Sequence, residues 1–208
     1  GTFLMGDEKK PRSQVKVTLT NPFEAMSTVV TESMWLELMK AIPFGEEAVE
    51  IRANHPVRGM TWWSVIYFAN QVSKAHHLEP AYDLSGIQFA NRMVDPAKWR
   101  PLKTEAALLS VAAKGNLVVY TKQYSSMKDH HALLYPKVNS ADGSIYNAVG
   151  FRLPTEAEQE YLLRGGGIYK GAYGFKGGAA KLHEYAWYKE NLVEETHEVA
   201  EKRPILAS

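Results

Sequence analysis

The chain of 208 residues contains no cysteine. This absence excludes disulfide bonds, thiolate metal ligands and cysteine nucleophiles within the chain. An excess of charge of one sign is also missing, because 24 lysines and arginines stand against 23 aspartates and glutamates and leave a net charge of +1. Such a balance gives no electrostatic reason to expect nucleic acid or an anionic membrane surface as a partner.

Long apolar runs are missing too. Apolar stretches such as Ala106–Leu109 and Leu117–Tyr120 are short, whereas a membrane-spanning helix needs about 20 apolar residues. We therefore expect no membrane-spanning segment. Apolar residues make up 45% of the chain and charged residues 23%. That composition is typical of globular proteins and excludes a disordered chain, and the length favours a single domain.

Two stretches carry apolar residues at helical spacings of three and four. They predict helices over 31–42 and 61–75, with Thr31 and Thr61 as N-caps. Trp35 and Trp62 lie on these stripes, which predicts that both are core residues. The two stripes are Met34, Trp35, Leu38, Met39 and Ile42 in the first helix, and Trp62, Val65, Ile66, Ala69 and Val72 in the second.

Polar and apolar residues alternate in the segment 14–20. The alternation predicts a strand with Val15, Val17 and Leu19 on its buried face, in a small, twisted antiparallel sheet on which the helices pack. Farther along, Thr104–Ala113 indicates a short helix, and Leu117–Thr121 indicates a strand.

The segment Phe151–Gly167 contains the clearest local signal. Thr155 followed by Glu158 forms a capping box, which predicts a helix over 155–164. A stretch with seven glycines follows, from residue 165 to 178, and this density of glycine favours a loop.

The spacing of histidines and carboxylates gives little indication of a metal site or an acid–base catalytic site. None of the seven histidines has another histidine four residues away, so we predict no tightly bound copper or zinc. Glu156, Glu158 and Glu160 fit acid–base carboxylates by type, but capping and surface roles explain them more simply.

Loops on a rigid core commonly carry binding sites. The segment 83–150 and the glycine-rich segment 165–178 are the loops in this chain, and Trp99 and Tyr173 are their candidate ligand contacts. The alternative is that these loops only cover the core. Trp63 lies off any apolar stripe and is open to the same two interpretations.

Several segments together resemble the formylglycine-generating enzyme family, also called sulfatase-modifying-factor domains. The resemblance covers about residues 1–82 and 151–204, and residues 83–150 resemble an insertion that some members carry. The segments that carry it are Gly1–Gly6, Val15–Leu19, Asn54–Trp62, Phe68–Lys74, Phe151–Glu158, Tyr185–Tyr188, Asn191 and Thr196–Val199.

The resemblance implies an α+β fold that is formylglycine-generating-enzyme-like, related to C-type lectins and low in regular secondary structure. It implies a single domain over 1–208, incomplete at its C-terminus, with the insertion at about 83–150. Active members oxidise a substrate cysteine to formylglycine with copper held by two cysteines, and relatives join sulfur to a histidine derivative with iron. Other members are binding or accessory domains, some with sequence-diversified ligand-binding surfaces.

The chain departs from the catalytic members of the family. Their cysteines lie beyond the landmark that Thr196–Val199 matches, this chain has none, and Gln159 replaces the usual tryptophan. The resemblance therefore favours a non-catalytic ligand- or protein-binding domain, located outside the cytoplasm or on a bacterial surface. The alternative is a truncated formylglycine-generating or sulfur-transfer oxidoreductase without its catalytic segment. The resemblance also implies a structural calcium held by the Asn191 side chain and the Leu192 carbonyl.

Overall fold

A computed structural model of the chain describes residues 1–6, 9–10, 13–43, 50–120, 135–192 and 196–205. It confirms the expected combination of helices and strands with few regular elements. Part of the predicted insertion, residues 121–134, lies outside the described residues. The chain divides into two compact units: a first unit of Gly1–Val29 with Pro154–Ser208, and a second unit of Val30–Leu153.

Five helices and six strands lie in the described residues. The strands are β1 (Thr2–Met5), β2 (Val15–Thr18), β3 (Tyr82–Asp83), β4 (Phe89–Asn91), β5 (Leu117–Val119) and β6 (Lys137–Val138). The helices are α1 (Glu32–Met39), α2 (Trp62–Ala75), α3 (Glu105–Ala113), α4 (Glu156–Leu163) and α5 (Leu182–Tyr185).

The strands form three separate antiparallel ladders of two strands each, β1 with β2, β3 with β6 and β4 with β5, within the described part of the chain. The expectation of one sheet under the helices is therefore wrong. The predicted strand face is also wrong at Val15, which is 60% exposed. In this ladder the inward side chain is Phe3 of β1, whose ring packs against Tyr161 of α4 at 5.6 Å.

The core of the second unit lies where α1, α2, α3 and β5 meet. Trp35 is fully buried there, stacks on Phe68 at 4.8 Å and donates its indole N–H to the carbonyl of Ala113 at 3.0 Å. Trp62, by contrast, is 45% exposed. The prediction that Trp62 is a core residue is wrong, because it is the first residue of α2 and it packs edge-on against Trp63 instead.

The predicted N-caps Thr31, Thr61 and Thr155 all accept a hydrogen bond from the backbone N–H three residues on. The capping box is complete at Thr155: its hydroxyl accepts from the Glu158 N–H, and the Glu158 carboxylate accepts from the Thr155 N–H at 2.8 Å. Local side-chain chemistry thus sets the start of each helix.

We expect Thr155→Ala to lower the free energy of unfolding by about 1 kcal/mol, since one N-terminal N–H of α4 loses its acceptor. Denaturant unfolding of the parent and variant measures this difference. Thr155→Ser keeps the hydroxyl and is the matched control. If Thr155→Ala unfolds at the same denaturant concentration as the parent, the capping box does not contribute to stability.

Candidate ligand-binding site

An open surface depression of about 510 Å³ lies in the first unit, between the end of α4, the glycine-rich segment and α5. This volume lies within the roughly 300 to 1,000 Å³ that ligand pockets occupy. We call it the aromatic pocket. Its lining is mainly aromatic and apolar, and includes Leu163, Tyr173, Phe175, Leu182, Tyr185 and Ile205.

Arg164 at the C-terminal end of α4 holds the glycine-rich segment in place. Its Nη1 donates to the carbonyls of Lys170 and Gly171 at 3.0 and 2.9 Å. Its Nη2 donates to the Gly6 carbonyl at 2.8 Å, and the guanidinium pairs with the Glu160 carboxylate at 2.7 Å. All five N–H groups of this buried guanidinium can thus find acceptors. Arg164 is therefore a structural residue, and its charge is already compensated by Glu160.

Gly174 lets the segment pass directly over α4. A Cβ at this position would overlap the Leu163 carbonyl oxygen, so only glycine allows the close approach. The next residue, Phe175, is buried and stacks on Tyr185 of α5, with ring centroids 4.1 Å apart and planes within 7°. This stack forms one wall of the aromatic pocket.

Two tyrosines of the lining have a hydroxyl with no hydrogen-bond partner among the described residues. They are Tyr173, whose ring lies 5.6 Å from that of Phe175, and Tyr185. Both side chains are half-buried. An aromatic surface with a few polar groups that are open to a ligand is the usual composition of a binding pocket.

The segment 196–205 packs along α5 and brings Ile205 to the pocket. The Arg203 N–H donates to the Glu184 carbonyl at 3.0 Å, and the Glu184 carboxylate pairs with Arg203 at 2.8 Å and with Lys181 at 2.5 Å. The hydrogen bond from Lys181, together with the charge of Arg203, holds the pKa of the Glu184 carboxyl below its usual value.

This pKa shift predicts a pH dependence of stability. A carboxyl whose pKa is lower in the folded state stabilises that state at neutral pH, and the stabilisation is lost as the pH falls from about 5 through the lowered pKa. We expect the melting temperature of Glu184→Gln to fall less than that of the parent over this range. Glu190→Gln is the control for removing an exposed carboxylate nearby. Parallel curves for Glu184→Gln and the parent would contradict the assignment.

A second aromatic cluster lies on the same segment. Trp187 stacks on His197 with ring centroids 3.5 Å apart, and the Lys202 Nζ lies 3.6 Å from the centroid of the Trp187 ring. Lys202 also donates to the His183 carbonyl at 2.7 Å. These contacts tie the segment 196–205 to the residues that follow α5.

The predicted site residues lie in different surroundings. Tyr173 lines the aromatic pocket. Trp99 belongs to the second unit, is only 7% exposed, and donates its indole N–H to the Val94 carbonyl at 2.7 Å. The side chain of Asn191 accepts from the Tyr188 N–H at 2.7 Å and donates to the Ala186 carbonyl, while Leu192 is exposed. Ligand contact by Trp99 and calcium binding at Asn191 stay predictions.

Sequence reasoning missed Arg164, Phe175 and Tyr185 as parts of the site. The available signal was the interleaving of aromatic residues with glycines after α4.

Among the described residues, no group of three or more His, Asp or Glu side chains could hold a metal ion. Likewise, none of the helices described is long and apolar enough to cross a membrane.

Comparison with known proteins identifies the family. The profile described as "Sulfatase-modifying factor enzyme 1-like domain" matches residues 1–206, so the chain belongs to this family. A solved structure, "Treponema denticola variable protein 1", is 30% identical with a TM-score of 0.49. The alignment covers 86% of this chain and 54% of that one, so the chain spans about half the length of the solved protein. No curated protein matches.

Proposed function

We propose that this chain is a non-catalytic binding domain of the sulfatase-modifying-factor family and that its ligand occupies the aromatic pocket. The observation that carries the proposal is the pocket itself. It combines about 510 Å³ of aromatic and apolar space with the free hydroxyls of Tyr173 and Tyr185. Such hydroxyls orient a ligand, while burial of apolar surface supplies most of the affinity.

The chemistry of the chain supports a role without catalysis. The copper of the active members is held by two thiolates, which are soft ligands that select Cu(I). This chain contains no cysteine, and histidine or carboxylate side chains would not reproduce that preference. The alternative is a truncated oxidoreductase of the same family.

A mass-spectrometric assay distinguishes these alternatives. The chain is incubated with a cysteine-bearing sulfatase peptide, copper and a reductant, and the mass of the peptide is followed. We expect no difference from a control without protein. Conversion of the thiol to an aldehyde that occurs only with the protein would overturn the non-catalytic proposal.

Binding in the pocket is tested with small aromatic fragments such as indole and phenylacetamide. We expect Tyr173→Ala to weaken fragment binding at least about tenfold, which corresponds to the loss of a central aromatic contact. Tyr135→Ala removes an exposed tyrosine from the second unit and is the matched control. Equal affinities for the parent and Tyr173→Ala would contradict the proposed site.

A structural calcium at Asn191 and the Leu192 carbonyl is part of the proposal, and its support is the family resemblance and the preference of calcium for oxygen ligands. We expect a chelator to lower the melting temperature of the parent but not that of Asn191→Ala. A melting temperature of the parent that the chelator leaves unchanged would exclude the calcium.

The proposed location outside the cytoplasm or on a cell surface is likewise supported by the family resemblance.

A further inference from the structure

We propose that the ligand of the aromatic pocket is an acidic segment of a partner protein, which inserts an apolar side chain into the pocket. This inference rests on the proposed function of the pocket. It adds the chemical class of the partner, and its support is the distribution of charge around the pocket.

The pocket lining holds one acid and one base, Glu160 and Arg164, but the stretch of chain that runs through it carries an excess of positive charge. From Tyr161 to His183 the sequence has no aspartate or glutamate, but it has four basic residues: Arg164, Lys170, Lys176 and Lys181. Because the whole chain has a net charge of only +1, this excess of basic residues is confined to part of the chain.

Two of these four charges are not compensated. Arg164 pairs with Glu160, and Lys181 pairs with Glu184. Lys170 and Lys176 are exposed and form no ion pair in the part of the chain that the structure describes. Lys170 precedes the pocket residues 172–175, and Lys176 directly follows them. Along the sequence, the glycine-rich segment thus has an exposed lysine without an ion pair before and after its pocket residues.

Two tyrosines of the lining fit the same class of ligand. The free hydroxyls of Tyr173 and Tyr185 can donate hydrogen bonds, and a carboxylate accepts them. The Glu160 carboxylate in the lining is neutralised by Arg164 at 2.7 Å, so it does not repel an acidic ligand strongly. An inorganic anion would leave the apolar walls unused, whereas an acidic peptide with an apolar side chain uses both the walls and the rim.

The experiment compares three fluorescent five-residue peptides by their dissociation constants. The first is Asp-Glu-Phe-Glu-Asp, the second replaces its acids with amides as Asn-Gln-Phe-Gln-Asn, and the third replaces its phenylalanine with glycine. We expect the first to bind at least about tenfold more tightly than either of the others at low salt. We also expect its affinity to fall when the salt is raised from about 20 to 500 mM, because exposed charges are screened.

Two pairs of lysine variants locate the charge effect. Lys170→Gln with Lys176→Gln should weaken binding of the first peptide at least about fivefold and remove most of its salt dependence. Lys103→Gln with Lys114→Gln makes the same change of charge on exposed residues of the second unit. This control pair should bind like the parent.

The outcomes separate the inference from the proposed function. If the amide peptide binds as tightly as the acidic one, the acidic class is wrong and the pocket remains a binding site. Equal binding of the glycine peptide would show unspecific charge attraction and would overturn the inference. If neither the peptides nor the aromatic fragments bind, the proposed function itself fails. An equal loss of affinity in both lysine pairs would also contradict the inference.

Discussion

Trp35→Ala is expected to lower the free energy of unfolding by about 3 to 5 kcal/mol, the range for large aromatic residues truncated in a core. The variant loses the stack on Phe68 and the hydrogen bond to Ala113, and it leaves a cavity where three helices meet. The Ala113 carbonyl would also remain buried without this donor, which adds to the cost. Denaturant unfolding followed by circular dichroism measures the effect.

Trp62→Ala is the matched control, since it removes the same side chain from a position that is 45% exposed. We expect a loss of about 0.5 to 1.5 kcal/mol, mainly from the edge-on contact with Trp63. Equal losses for the two tryptophans would contradict the assignment of Trp35 to the core and of Trp62 to the surface.

Arg164→Met is expected to cost at most about 3 to 5 kcal/mol, the range for a fully buried ion pair, because it removes the buried partner of a pair whose carboxylate, on Glu160, is 25% exposed. The carbonyls of Gly6, Lys170 and Gly171 lose their donor at the same time. We also expect fragment binding to be lost, since the glycine-rich segment is no longer held beside α4. Denaturant unfolding and fragment titration measure the two effects.

Two further variants separate charge from geometry at this site. Arg164→Lys keeps the charge but has three donors instead of five, so we expect an intermediate loss of stability. Arg164→Met combined with Glu160→Gln should cost less than the sum of the single variants, because the uncompensated carboxylate is gone. Full additivity of the two substitutions would indicate that Arg164 and Glu160 do not interact.

The helices could be predicted because their signals are local. Thr31, Thr61 and Thr155 each precede an apolar stripe or a capping glutamate, and each one caps its helix as expected. The strand pairings could not be predicted, because partners such as Tyr82 and Val138 lie 56 residues apart. The prediction that residues on an apolar helical stripe lie in the core also failed at Trp62, since the spacing of apolar residues does not distinguish the first turn of a helix from its buried middle.

The candidate site could be predicted only in part. Loop composition led to Tyr173, which lines the pocket. The same reasoning selected Trp99, whose indole N–H instead donates a hydrogen bond to the Val94 carbonyl in its own loop. The role of Arg164 could not be predicted from the sequence, because one of its hydrogen-bond acceptors, the Gly6 carbonyl, lies 158 residues away. The resemblance of several segments predicted the family, and the match over residues 1–206 confirms it. Residue patterns alone did not indicate where the pocket lies.

The most direct test of the aromatic pocket as the binding site is a map of amide chemical shifts during titration with the aromatic fragments. It is recorded on the parent and on Ala172→Trp, which fills the pocket from its exposed rim. Ala141→Trp adds the same side chain at an exposed turn of the second unit and is the control. We predict shifts at Leu163, residues 172–175 and Ala186 in the parent and the control, and none in Ala172→Trp. Equal shifts in all three proteins, or shifts only outside these residues, would contradict the account.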